Sequence, residues 1–120
     1  MREIEFRAWI PESKQMGEVA MLGRDFISLE PLGSWDRDNI ILMQYIGLQD
    51  KNGKEIYEGD IVRTYHKLFT VAWSDTFYGF ALVTKSHGAS ESMTFPNFRH
   101  YDWEVIGNIY ENPEMLETKE

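Results

Sequence analysis

The stretch from Leu48 to Val62 constrains the fold more than any other part of this chain. Asn52-Gly53 is the preferred central pair of a two-residue hairpin turn of type I′, in which both positions need positive φ. On that count Lys51 and Lys54 flank the turn, and Leu48 faces Tyr57 across the two arms. Gly59 marks a second reversal, with Asp60 beside it to accept backbone N–H groups, and Ile61-Val62 starts an apolar strand. Asn52, Gly53, Gly59 and Asp60 are therefore expected to be structural turn residues. A chain that places such a turn at its centre is committed to antiparallel β structure.

The flanking segments carry the same signature. Glu3 to Trp9 alternates polar and apolar residues with the period of two expected for a half-buried strand. Gln15 to Leu22 and Phe26 to Leu29 are predicted strands separated by Gly23-Arg24-Asp25, after a turn at Pro11 to Lys14. Pro31 to Asn39, rich in Pro, Gly, Ser and Asp, is predicted to be a loop whose Trp35 folds back over the core. Ile40 to Ile46 is a continuous apolar run that suits a buried strand. Asp60 to Tyr65, Phe69 to Ser74, Phe80 to Thr84, Met93 to Phe98 and Trp103 to Ile109 complete the predicted strands, with Ser86 to Ser92 as a mobile loop. Asn112-Pro113-Glu114 has the cap, the proline and the acid that begin a short helical turn.

Strands at intervals of about ten residues, divided by turn signals, indicate a small barrel or sandwich. The expected fold is a mostly β single domain over residues 1–120. An N-terminal β segment (1–47) precedes a small SH3-like barrel (48–111), and a short helical turn opens an acidic tail (112–120). The length is adequate for one core, and four Trp, six Tyr and seven Phe supply bulky material to fill it.

Two longer runs carry a family resemblance. Leu48 to Val62, together with Trp103-Glu104-Val105-Ile106-Gly107-Asn108-Ile109-Tyr110-Glu111-Asn112-Pro113-Glu114, resembles the YopX family of phage and prophage proteins. The opening Met1 to Trp9 and the approach Leu42-Met43-Gln44-Tyr45 into Gly47-Leu48 are similar to the family as well. The resemblance implies a phage setting and the cytoplasm of a bacterial host. It implies no activity, because the family has no established one.

Composition removes several function classes. With no cysteine there can be no disulfide, thiol nucleophile or thiolate metal site. No apolar run approaches the roughly 20 residues of a membrane span. The net charge is −8, and the last ten residues hold four acids and one base. Lys and Arg are not clustered, which disfavours nucleic acid as a partner, since phosphate neutralisation drives that affinity.

Candidate chemistry is sparse. His66, His87 and His100 are scattered, and His100-Tyr101-Asp102 is a weak metal signal. A carboxylate- or metal-dependent hydrolase would have to use Asp60, His100 and Asp102. A single-stranded nucleic-acid-binding barrel would have to use Lys67, Lys85 and Arg99 beside aromatic residues. Neither a Ser elbow nor a phosphate loop occurs. No catalytic residue, metal site or cofactor is expected. The aromatic series from Trp73 to Trp103 is the best candidate for a binding surface, with Trp73, Phe77, Tyr78 and Tyr101 as its binding residues; Phe77 and Tyr78, in a turn, and Tyr101, between polar neighbours, are expected to be partly exposed. The expected function is a non-catalytic accessory module that binds a protein. A homodimer paired through Ile40 to Ile46 is the alternative to burying that strand.

Overall fold

The structure of the chain, a computed structural model, describes residues 5–64, 67–75, 78–86, 89–94 and 103–116. The chain divides into two compact units, Met1–Tyr45 and Ile46–Glu120. Both are built from antiparallel strands, so the molecule is mostly β.

The first unit holds β1 (Phe6–Ile10), β2 (Gln15–Leu22), β3 (Phe26–Glu30), β4 (Gly33–Asp36), a 3-10 turn (Arg37–Asn39) and the start of β5 (Ile41–Gln49). Their pairing order is β4-β3-β2-β1-β5. Alternation along the strands selects the core: Ala8, Ile10, Ile27, Leu29 and Ile40 cluster, and Val19, Leu32, Trp35 and Leu42 pack against them. Gly17 faces Ala8 across β1 and β2, and a Cβ there would come within 3.1 Å of the Leu32 side chain and 3.2 Å of the Leu29 side chain. Glycine at this position lets the layer close. A bulge between Val19 and Met21 shifts the β2–β3 register.

One correction concerns residues 31–39, expected as loop. They contain β4, paired to β3 with Ile27 opposite Trp35, and the 3-10 turn that follows. Gly33 and Ser34 have little intrinsic strand preference, and cross-strand pairing at the sheet edge overrides it. Trp35 does lie back on the core, and its indole N–H donates to the Leu32 carbonyl at 2.8 Å.

Strand β5 crosses the division between the units. Its first part pairs with β1, Phe6 facing Gln44 and Trp9 facing Ile41, and β6 (Glu55–Tyr57) is its neighbour on the other side. Met43, Tyr45 and Ile46 are buried, but Ile41 is 37% exposed, so the run is not covered on both faces throughout.

The second unit contains β6, β7 (Asp60–Thr64), β8 (Lys67–Ser74), β9 (Gly79–Ser86), β10 (Ala89–Thr94), β11 (Glu104–Asn108) and a 3-10 turn at Pro113–Leu116. Five of these strands form a sheet of order β10-β9-β8-β7-β11. Val62 faces Phe69 on one side and Val105 on the other, while Val71 faces Leu82. These residues join Ile46, Ile56 and Trp103 in the core. The order is open, with no pairing of β10 to β11 among the described residues, so the expected barrel is not closed. Closure needs a coordinated tilt and stagger that alternation in a sequence does not encode. The loop expected at Ser86 to Ser92 is also corrected, because its described residues lie in β9 and β10, Ala89 facing Ser86. As an edge strand, β10 needs backbone pairing more than apolar alternation.

Candidate functional site

The candidate surface lies at the end of the β8–β9 hairpin. Phe69, Val71 and Trp73 share one face of β8 by strand alternation. The first two are buried, whereas Trp73 is 53% exposed, because the core ends before the strand does. Register places Phe80 directly opposite, and the two rings meet edge to face with centroids 5.4 Å apart and planes at 86°. Phe80 packs against the core cluster and supports the indole from below. The Trp73 indole N–H donates to Asp75 Oδ1 at 3.0 Å, which fixes the ring at the strand end. Tyr78 completes the group: it is 84% exposed and holds φ at 52°, a left-handed conformation uncommon for a residue with a Cβ. The other two expected binding residues, Phe77 and Tyr101, lie outside the described residues.

The expected turn residues occupy a separate network. Gly53 has φ of 81°, but Asn52 is not among the residues with positive φ, which rules out the type I′ turn. Instead the Gly53 N–H donates to the Asp50 carbonyl at 3.0 Å, and the Asp50 N–H donates to the Lys54 carbonyl at 2.8 Å. Asp50, not Lys51, is thus the closing partner of Lys54, and the loop has three residues with glycine in the left-handed position.

The cause is the Asp50 side chain. Its Oδ1 accepts from the Asn52 and Lys54 amides at 2.8 and 2.9 Å, and its Oδ2 accepts from Val105 N–H on β11 at 2.9 Å. Burial alone would raise the Asp50 carboxyl. The Val105, Lys54 and Asn52 amides, with the Lys54 charge, outweigh burial and hold it below the usual carboxylate range. Sequence reasoning missed Asp50, although an Asp two residues before Asn-Gly is an Asx-turn signal. Beside it, the Arg63 guanidinium bonds Glu104 and, with Lys51, holds that carboxyl low as well.

Gly59 has φ of 89°; its N–H donates to Val71 and its carbonyl accepts from Ile109. Asp60 is buried, and its Oδ2 accepts the Tyr57 N–H at 2.8 Å. Asn108 Oδ1 accepts from the Tyr110 and Glu111 amides and shapes the turn after β11. These are geometries of turn formation.

Most residues of the other readings, namely His66, His87, Arg99, His100 and Asp102, lie outside the described residues; Lys67 is exposed at the start of β8 and Lys85 lies on β9. Among the described residues no group of three or more His, Asp or Glu could hold a metal ion. None of their helices is long and apolar enough to cross a membrane.

A second apolar area went unnoticed in the sequence. Met21 and Phe26 are 69% and 60% exposed at the β2–β3 turn, with Leu22 between them half exposed. Met21 and Phe26 border an open depression also lined by Gly23, Arg24 and Asp25. The adjacent pair Met21-Leu22 was the available signal, since neighbouring strand residues point to opposite faces and one must leave the core.

Two open antiparallel sheets, with buried polar residues at turns, define a small β module. The family model described as YopX protein matches residues 5–117, and the chain belongs to that family. It is similar to the crystal structure of protein EF1440 from Enterococcus faecalis, with 30% identity and a TM-score of 0.65, covering 98% of this chain and all of that one. The X-ray structure of protein yopX from Bacillus subtilis shares the fold at 20% identity and a TM-score of 0.60, with both chains covered in full. No curated protein matches the chain.

Proposed function

We propose that this protein is a non-catalytic accessory module of the phage or prophage setting that binds another protein in the cytoplasm of the host. The observation that carries the reading is Tyr78, an aromatic side chain 84% exposed on a left-handed backbone next to a glycine that could hold such a conformation without strain. A strained residue in a turn is a pointer to use. With Trp73 braced by Phe80 and Asp75, it forms a preordered aromatic contact surface. Tyr and Trp are the residue types that dominate protein interfaces, because they bury much area at little entropic cost. The acidic body argues against a phosphate backbone as the ligand.

A photo-crosslinking residue placed at Tyr78 identifies the partner, and calorimetry with the purified pair gives its affinity. The double variant Trp73→Ser, Tyr78→Ser should bind that partner about thirtyfold more weakly or worse, a loss of about 2 kcal/mol. Unchanged affinity in a folded double variant would remove this surface from the function.

A further inference from the structure

Asn-Gly is the sequence in which a backbone amide most readily attacks the preceding side chain, because glycine presents no Cβ to obstruct the nitrogen. Asn52-Gly53 is the chain's one such pair, and Lys51 to Lys54 are all exposed. A Cβ placed on Gly53 would meet nothing within 4 Å, so the glycine side of the turn is uncrowded. Opposing this, the nitrogen that would attack is engaged with the Asp50 carbonyl at 3.0 Å. The amides on both sides of it, Asn52 and Lys54, are held by the Asp50 carboxylate.

From this arrangement we infer that Asn52 is a deamidation site whose rate is set by the Asp50 clamp. The Gly53 nitrogen attacks Asn52 Cγ, the Cγ–Nδ2 bond breaks, and ammonia leaves with the proton that the Gly53 amide gives up. The product is a succinimide. Water then opens it at Cγ to give an ordinary aspartate at this position, or at the backbone carbonyl to give isoaspartate, so the sum is amide plus water to carboxylate plus ammonium. To reach Cγ the nitrogen must turn toward the Asn52 side chain, which breaks the bond to Asp50. The closed hairpin therefore protects Asn52, and local opening exposes it.

The modification would act on the second unit. The Asn52 side chain, as a donor, helps the Arg63 guanidinium and Lys51 hold the Glu104 carboxyl low. Deamidation removes that donor and sets a third carboxylate beside Asp50 and Glu104. Isoaspartate also adds a carbon to the backbone between two amides that one carboxylate grips.

The test follows the full chain at pH 7.5 and body temperature by peptide mapping and mass spectrometry, in buffer and in concentrated urea. Expected is a mass gain of about 1 Da at Asn52, at least about tenfold slower in buffer than in urea, a factor equivalent to about 1.4 kcal/mol of protection. Asp50→Asn, shown folded by circular dichroism, should deamidate at an intermediate rate in buffer. Gly53→Ala in urea should be slow, which assigns the attack to the Gly53 nitrogen without requiring a folded variant. Asn39, followed by Ile40, and Asn112, followed by Pro113, are comparators in the same digest. Equal rates in buffer and urea would overturn the clamp, and an Asn52 no faster than Asn39 in urea would overturn the site.

Discussion

The two units solve one problem, closing an antiparallel sheet over a core, by different means. In the first, Ala8, Ile10, Ile27, Leu29 and Ile40 are buried, and among the described residues none that is buried is charged or amide-bearing. The second buries Asp50, Asp60 and Asn108 along with a larger apolar cluster. The difference tracks connectivity. The first unit is built mainly of consecutive hairpins, β1 through β4, whose turns need little outside help. In the second, β11 joins β7 from 41 residues away, as the Arg63–Glu104 pair records. A strand arriving from that distance meets turns whose amides are already formed, and buried side chains must satisfy them. The Asp50 carboxylate spans the distance to β11 through the Val105 N–H, whereas Asp60 Oδ2 and Asn108 Oδ1 accept from turn amides two or three residues away.

That contrast can be broken by substitution. The largest effect is expected for Trp103→Ala, which empties the second core and should cost about 3–5 kcal/mol. Hydrogen exchange should show protection lost in β7, β8 and β11 and kept in β1 to β3. Equal loss in both units would show one cooperative block. Ile27→Ala, the converse probe, should cost about 2–4 kcal/mol and weaken the first unit selectively. Asp50→Ala leaves the buried Val105 N–H without its acceptor and frees two turn amides, at a cost on the order of 3 kcal/mol by denaturant titration.

Acid sharpens the comparison further. Asp50 and Glu104 are both held below their ordinary values, so their contribution is complete above about pH 4, where the unfolded carboxyls ionise, and is lost as pH falls through the folded values. The second unit should lose exchange protection first below that pH, and Asp50→Asn should flatten the dependence. If the first unit yields first, the anchors are not what distinguishes the two. The smallest stability effect is expected at the aromatic surface. Trp73→Ser should shift stability by about 1 kcal/mol or less, since half of the ring is already in water.

Much of this was legible in the sequence where local rules prevail. Strand β2 has the predicted bounds, Gln15 to Leu22, because the turn residues on either side mark both of its ends. Trp35 against the core followed from its isolation among polar neighbours. Strand β4 was not legible, since Gly33 and Ser34 acquire strand geometry only from β3. The hairpin at Asn52-Gly53 was placed correctly and given the wrong type. Its closing pair is chosen by Asp50, and one oxygen of Asp50 answers to an amide 55 positions away. Local sequence holds no trace of that contact. Trp73 belongs to the aromatic series legible in the sequence, but its exposure, where the strand outruns its core, depends on where Phe69 and Val71 find partners.

The bond from Asp50 to Val105 also imposes an order on synthesis. The hairpin leaves the ribosome long before β11 exists, and until then one carboxylate oxygen has only water to bind. The second core cannot finish closing before the last fifth of the chain has emerged, whereas the first unit has its strand partners and core residues once β5 has emerged, by Gln49. One half of the molecule can fold as it is made, and the other must wait for its end.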